Sequence, residues 1–175
     1  RINYSYKERY LFEANLRYDG SSRFLCDQRW NLFPSFSFGW NMAHESFFAP
    51  LTKVINTFKP RVSWGMLGNQ NTDEFYPFYL TQNVIANGGS WLMGGVRPTT
   101  SGVPGLVSST LTWEKIYNTN IGFDFGLLNN RLTGSFEYFI RRTKGMVGPP
   151  AEIGAALGTT LPNTNNAELE NKGWD

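Results

Sequence analysis

Acidic and histidine side chains that could do acid–base chemistry are few and widely spaced in this 175-residue sequence. His44 lies beside Glu45, a pair that could hold a metal or move a proton, but a lone histidine at a predicted turn is more often a surface residue. Glu114, Asp124 and Glu137 are the acids that could be paired for glycoside hydrolysis. The sequence has no glycine-rich phosphate loop, Ser-His-Asp order or Cys/His cluster. It therefore predicts no enzyme, no metal site and no cofactor.

Side chains suited to binding without covalent chemistry are concentrated in residues 68–110, a long segment rich in Gly, Asn and Pro. Rings offer flat stacking surfaces and amides offer paired donors and acceptors, as recognition of a saccharide or peptide requires. The candidate residues are Asn69, Gln70, Asn71, Asp73, Tyr76, Tyr79 and Trp91. Packing of the loop on itself explains the same residues equally well, and both interpretations stay open at this point.

Three tryptophans, Trp40, Trp64 and Trp113, could also stack on sugars. Their positions on apolar faces favour a different prediction, an aromatic girdle at a membrane interface.

The elements that must position these residues are β-strands, because apolar and polar residues alternate with a period of two. The alternation predicts strands at 9–19, 32–43, 58–67, 113–127 and 132–141, with a sixth starting near residue 167. One face is predicted to be apolar and to contact lipid, with Phe12, Leu16, Phe36, Phe38, Val62, Phe123 and Phe136. The other is predicted to be polar and to line a lumen, with Glu13, Asn15, Ser37, Arg61, Asp124 and Glu137.

The connections between these strands differ in length. Asn129-Asn130 is predicted to be a tight turn, since Asn tolerates positive φ, and the 41–57 link to carry a helical turn near residues 50–55. In an antiparallel sheet, that turn and the 41–57 link lie at one end of the strands. The longer connections 19–31, 68–110 and 145–166 all lie at the other end. Strands of about ten residues with long loops at one end are typical of an outer-membrane barrel. Glu114, Asp124 and Glu137 are then predicted to be wall groups satisfied by inward Lys and Arg.

Composition narrows the function classes. Aromatic residues make up 16% of the sequence, and the longest apolar runs fall far short of the roughly 20 residues of a membrane-spanning helix. A net charge of +2 with scattered Lys and Arg argues against nucleic acid as a partner. Residues 1–15 alternate instead of forming an apolar signal-peptide core, and the pattern is cut at both ends, so we expect a fragment.

Ordered motifs over nearly the whole chain resemble the barrel of the SusC/RagA-type TonB-dependent importers. They are RYDGSSRF at 17–24, RW at 29–30, FPS at 33–35, GW at 39–40, RVSWG at 61–65, GNQ at 68–70, WEK at 113–115, NIGFD at 120–124, NNRL at 129–132, RT at 142–143 and NKG at 171–173.

The resemblance implies an all-β fold, in which residues 1–175 form about six antiparallel strands of a transmembrane β-barrel of 22 strands closed by a plug. The plug and the segment that contacts TonB lie outside these residues. It also implies the bacterial outer membrane, import of glycans or peptides, and a SusD-like surface lipoprotein as lid. The alternatives are a surface binding or adhesion module on a soluble β-sheet, such as a β-sandwich, and a passive porin-like channel.

Overall fold

The fold is one antiparallel sheet of seven strands, shown by a computed structural model that describes residues 1–72, 75–150 and 161–175. The strands of this sheet, in spatial order, are β1 Ile2–Tyr6, β2 Tyr10–Gly20, β3 Trp30–Trp40, β4 Ile55–Asn69, β7 Glu114–Leu127, β8 Leu132–Gly148 and β9 Thr164–Trp174. Two short strands, β5 Val84–Ile85 and β6 Thr100–Ser101, pair with each other inside the connection from β4 to β7. The prediction of an all-β, antiparallel fold is confirmed.

The strand β1 was not predicted, so the prediction of about six strands is one short. Its hairpin with β2 turns at Lys7 and Glu8, whose φ angles are 50° and 56°. Such a turn normally uses Asn, Asp or Gly, and without them the sequence gives no turn signal. Strand β8 also extends to residue 148, well beyond the predicted end at 141.

The connection from β3 to β4 contains short 3₁₀ helices at Met42–His44 and Ser46–Phe48. The helical turn predicted near residues 50–55 is a hydrogen-bonded turn, in which the Ile55 N–H donates to the Leu51 carbonyl oxygen at 2.8 Å. In the part of the chain that the structure describes, no helix is long and apolar enough to cross a membrane.

The two predicted faces of the sheet are confirmed by the register. Phe12 pairs with Phe38, Phe38 with Val62 and Val62 with Ile121, so one row of apolar side chains crosses four strands. The adjacent row is polar and runs through Glu13, Ser37, Ser63 and Asn120. Because side chains alternate along each strand, the same parity places all thirteen assigned residues on their predicted faces.

The apolar face is uncovered. Phe12, Phe38 and Val62 remain 42%, 41% and 41% exposed in the middle of the sheet. A β-sandwich would bury these side chains under a second sheet. The sandwich alternative therefore does not describe this fold.

Aromatic pairs flank the apolar face at both ends of the strands. Tyr18 stacks on Trp30 with ring centroids 5.1 Å apart, and Tyr10 stacks on Trp40 at 6.1 Å. Trp30 and Trp40 are ten residues apart on β3. At about 3.4 Å per residue and a tilt of about 40°, that separation projects to about 26 Å, close to the apolar height of outer-membrane barrels.

The tight turn at Asn129-Asn130 is confirmed, with φ angles of 56° and 59°. Leu128 also has a positive φ of 53°. The Asn56 side chain accepts a hydrogen bond from the Asn129 N–H at 2.7 Å, which ties this turn to the start of β4. The three long connections leave the sheet at the other end, as predicted from the antiparallel order.

Candidate functional site

The long loops rest on a small core at their end of the sheet. Phe24, Phe33, Leu111 and Trp113 are its buried members, at 1%, 3%, 6% and 5% exposure. The Trp113 ring packs edge-on against Phe33 at 5.3 Å and against Phe24 at 5.6 Å. This core holds the 21–29 loop to the segment that leads into β7.

Trp113 is therefore not part of an aromatic girdle, and that prediction is wrong for this residue. Its indole N–H donates to the Arg29 carbonyl oxygen at 2.9 Å, so both its ring and its polar atom are used inside the protein. Trp40 and Trp64 do lie on the apolar face, where Trp64 stacks on Phe36 at 6.1 Å.

Glu114 connects three strands just below the loops. It accepts hydrogen bonds from the Asn69 side-chain amide at 2.7 Å and from the Val147 N–H at 2.9 Å. The prediction that Lys or Arg satisfies this carboxylate is wrong, because the register places Asn69 directly across from it. A second amide, Asn165, donates to the carbonyl oxygens of Thr112 and Gly145 at 2.9 and 2.6 Å.

The other two acids have the partner that the sequence predicted. Arg61 lies 3.4 Å from Asp124 and 2.8 Å from Glu137, bridging strands β4, β7 and β8 on the polar face. Because the Arg61 guanidinium lies between them, the two carboxylates are ion-paired side chains on the polar face of the sheet. They do not form a free pair of acids for hydrolysis.

The polar face contains an open cavity of about 520 Å³. Its lining includes Glu13, Lys59, Arg61, Asn120 and Glu137. Positive, negative and amide side chains therefore face this space. They can form hydrogen bonds with water or with a polar solute.

Three rings form a cluster in the connection from β4 to β7, and two of them are exposed. Tyr76, Phe78 and Tyr79 have centroids 4.6–6.3 Å apart. Tyr76 and Tyr79 remain 54% and 62% exposed. Phe78 was not among the predicted residues, because its ring has no hydrogen-bonding group.

Arg23 joins the 21–29 loop to the same connection. Its guanidinium donates to the Thr72 carbonyl oxygen at 3.2 Å and lies over the Phe75 ring, 4.8 Å from the centroid. Arg23 was not among the predicted residues, because 49 residues separate it from Thr72 and only the fold brings the two loops together.

The remaining predicted residues of the connection are in different settings. The Asn69 side-chain amide donates a hydrogen bond to Glu114. The Asn69 side-chain oxygen also accepts a hydrogen bond from the Asn71 N–H at 3.1 Å. Gln70 and Asn71 are exposed, and Asp73 lies outside the described residues.

Trp91 is 56% exposed and belongs to the hairpin built on β5 and β6. This hairpin ends in a tight turn between Met93 and Val96, where Gly94 and Gly95 have φ angles of 61° and 85°. Among the described residues no ring contact joins Trp91 to the tyrosine cluster.

His44 and Glu45 do not form a catalytic pair. Glu45 accepts from Arg9 at 3.2 Å and from the Trp40 indole at 3.4 Å, while His44 is exposed. Within residues 1–72, 75–150 and 161–175, no group of three or more His, Cys, Asp or Glu side chains is placed to hold a metal ion.

Comparison with known proteins agrees with this architecture. A family model described as "TonB dependent receptor-like, beta-barrel" matches residues 1–175. The chain is 35% identical over 181 residues to TonB-dependent receptor SusC of Bacteroides thetaiotaomicron, covering 100% of this chain and 17% of that receptor. It is 33% identical over 175 residues to TonB-dependent receptor P3 of Formosa agariphila, with the same two coverages. The chain thus spans about a sixth of the length of these curated relatives.

The fold is also found in a solved structure, the RagAB peptide importer in the 'closed-closed' state. The TM-score is 0.81 at 22% identity, over 99% of this chain and 18% of that chain. At this identity the likeness concerns the fold alone. Together with the family match, which is to receptors and not to enzymes, it shows that the chain belongs to the TonB-dependent receptor β-barrel family, as its motifs predicted.

Proposed function

We propose that the parent protein is an outer-membrane importer that takes up glycans or peptides by TonB-dependent active transport. The observation that carries this proposal is the family match over residues 1–175. A sheet whose apolar face has the height of a membrane supports it. A peptide is one of the two substrate classes proposed, and the solved structure with the same fold is named as a peptide importer.

Each face of the sheet has its own part in this proposal. The apolar face contacts the hydrocarbon of the outer membrane, and a closed barrel satisfies every backbone group that lipid cannot. The polar face lines the lumen, where Arg61 and its two carboxylates keep a hydrated wall along the substrate path. The plug and the TonB contact belong to N-terminal parts of the parent protein beyond these residues.

The long connection from β4 to β7 is proposed to lie outside the cell and to contact the substrate or a SusD-like lid lipoprotein. Tyr76 and Tyr79 support this with two largely exposed rings, and Trp91 adds a third in the hairpin. Gln70 and Asn71 offer exposed amides in the same connection. Asp73 remains in the proposal on sequence grounds. Asn69 contributes by fixing the base of the connection through Glu114.

The transport proposal is tested in the host bacterium with the parent gene deleted and then restored. Growth on a panel of glycans and of peptides as sole nutrient is compared, with and without the host's TonB. We expect loss of growth on at least one class after deletion, and the same loss without TonB. Uptake that continues without TonB contradicts active import and supports a passive channel.

The loop proposal is tested with the variant Tyr76→Ala/Tyr79→Ala in the full-length parent, with Val103→Ala as control, since Val103 is 93% exposed. We expect the tyrosine variant to lower nutrient-dependent growth or recovery of the lid lipoprotein at unchanged outer-membrane abundance. Growth and recovery equal to those of the control would remove the tyrosines from the mechanism.

A further inference from the structure

A group of basic side chains interrupts the apolar face at its long-loop end. Lys115 on β7 pairs directly with Lys144 on β8. Two residues along on the same face, Tyr117 pairs with Arg142. These residues have the same parity as Phe123 and the outward residues of β8, so they point to the apolar face. We call Lys115, Arg142 and Lys144 the basic patch.

The basic patch lies at the height where the apolar face ends on these strands. Apolar outward residues begin at the pair Leu127 and Leu132. Ten residues further along, a separation that projects to about 26 Å at a tilt of about 40°, the strands reach Tyr117 and Arg142. This pair is thus at the outer edge of the hydrocarbon. Lys115 and Lys144 lie two residues beyond it on the same face, at the depth of lipid headgroups.

The charge of Lys115 is not compensated by its cross-strand neighbours, which are Gly68 and Lys144. Like charges directly opposite on neighbouring strands destabilise a sheet, and neither lysine forms an ion pair among the described residues. Glu168 lies across from Lys144 on β9 and offers one negative charge to the two lysines, while Glu170 is bound by Arg142 and Lys172. A net positive charge therefore remains at the row of the two lysines.

An open cavity of about 310 Å³ lies beside the patch on the same face. Its lining combines the cations with apolar groups: Trp64, Tyr117, Thr119, Ile140, Arg142 and Lys144. Ammonium and guanidinium groups bind phosphate oxygens, while the rings and Ile140 suit the first part of an acyl chain.

From this arrangement we infer that the basic patch binds the phosphate group of an anionic lipid in the membrane leaflet on the long-loop side. The inference rests on the proposed placement of the barrel in the outer membrane. A lipid phosphate supplies further negative charge to the two facing lysines, and it reaches them at the depth where the apolar face ends. The bound lipid anchors the barrel wall below its largest loops.

The test uses the full-length parent purified in detergent and native mass spectrometry with short-chain phosphatidic acid as the probe. The variant is Lys115→Gln/Lys144→Gln, and the control is Lys7→Gln/Lys53→Gln, which removes the same charge from turns at the other end of the sheet. We expect the patch variant to bind the lipid about tenfold or more weakly, because it lacks two of the cations that attract the phosphate. The control should bind like the wild type.

Equal binding by the patch variant and the wild type would overturn the inference, as would an equal loss in the control. A diacylglycerol of the same chain length, which lacks phosphate, should bind weakly to all three proteins. Inorganic phosphate that displaces the lipid at equal concentration would show a free-anion site instead. Nutrient uptake is measured in parallel, because active import that persists in the patch variant separates this inference from the proposed function.

Discussion

The assignment of the two faces makes a quantitative prediction for Phe36→Arg in the full-length protein. Phe36 lies four residues from Trp40 and six from Trp30, which places it about 10 Å and about 16 Å from the two aromatic rows. It is therefore near the middle of the membrane, where an outward arginine costs about 2–4 kcal/mol. The variant also loses the stacked pair with Trp64, worth about 0.5–1.5 kcal/mol.

The matched variant is Ser37→Arg, one residue along the same strand. Its side chain points to the polar face and pairs across the strands with Glu13, so the new charge meets an opposite one. We expect a change within about 1 kcal/mol. Phe38→Arg should fall between the two, because Phe38 is only about 5 Å from the lower aromatic row and the cost depends on depth.

Urea titration of the protein folded into lipid vesicles measures these differences, with the folded fraction read from heat-modifiable mobility on gels. A loss of 2.8 kcal/mol corresponds to a roughly 100-fold lower ratio of folded to unfolded protein. If Phe36→Arg and Ser37→Arg shift the midpoint equally, or if Ser37→Arg is the more damaging, the assignment of the faces is refuted.

Three further predictions concern particular contacts, each read from the same titration. Gly68→Ala should cost about 1–3 kcal/mol, because a methyl group there overlaps the buried Phe33 ring, whereas Gly102→Ala, in open space, should be neutral. Arg61→Met should cost about 1 kcal/mol or less and only at low salt, since its ion pairs are partly exposed; an equal loss in high salt would contradict a charge effect. Asn129→Val should cost about 1–2 kcal/mol because φ is 56°, and Asn129→Gly should be tolerated.

The sequence determined the type of sheet and the two faces of its strands. Alternation with a period of two is a local property, so the residues on either side of Phe38 and Ser37 are assigned without knowledge of any partner strand. The turn at Asn129 was equally readable, because an amide side chain tolerates positive φ. The motifs gave the family for the same reason, since they are short segments in a fixed order.

Tertiary structure decided which residues of the loop end are structural and which remain available. Trp113 is buried because the fold brings it to Arg29, 84 residues away, and Glu114 is satisfied because Asn69 lies across from it. Strand register likewise placed Lys115 directly opposite Lys144. These placements follow from pairings between distant segments, and no local pattern of residue types encodes the register on which they depend.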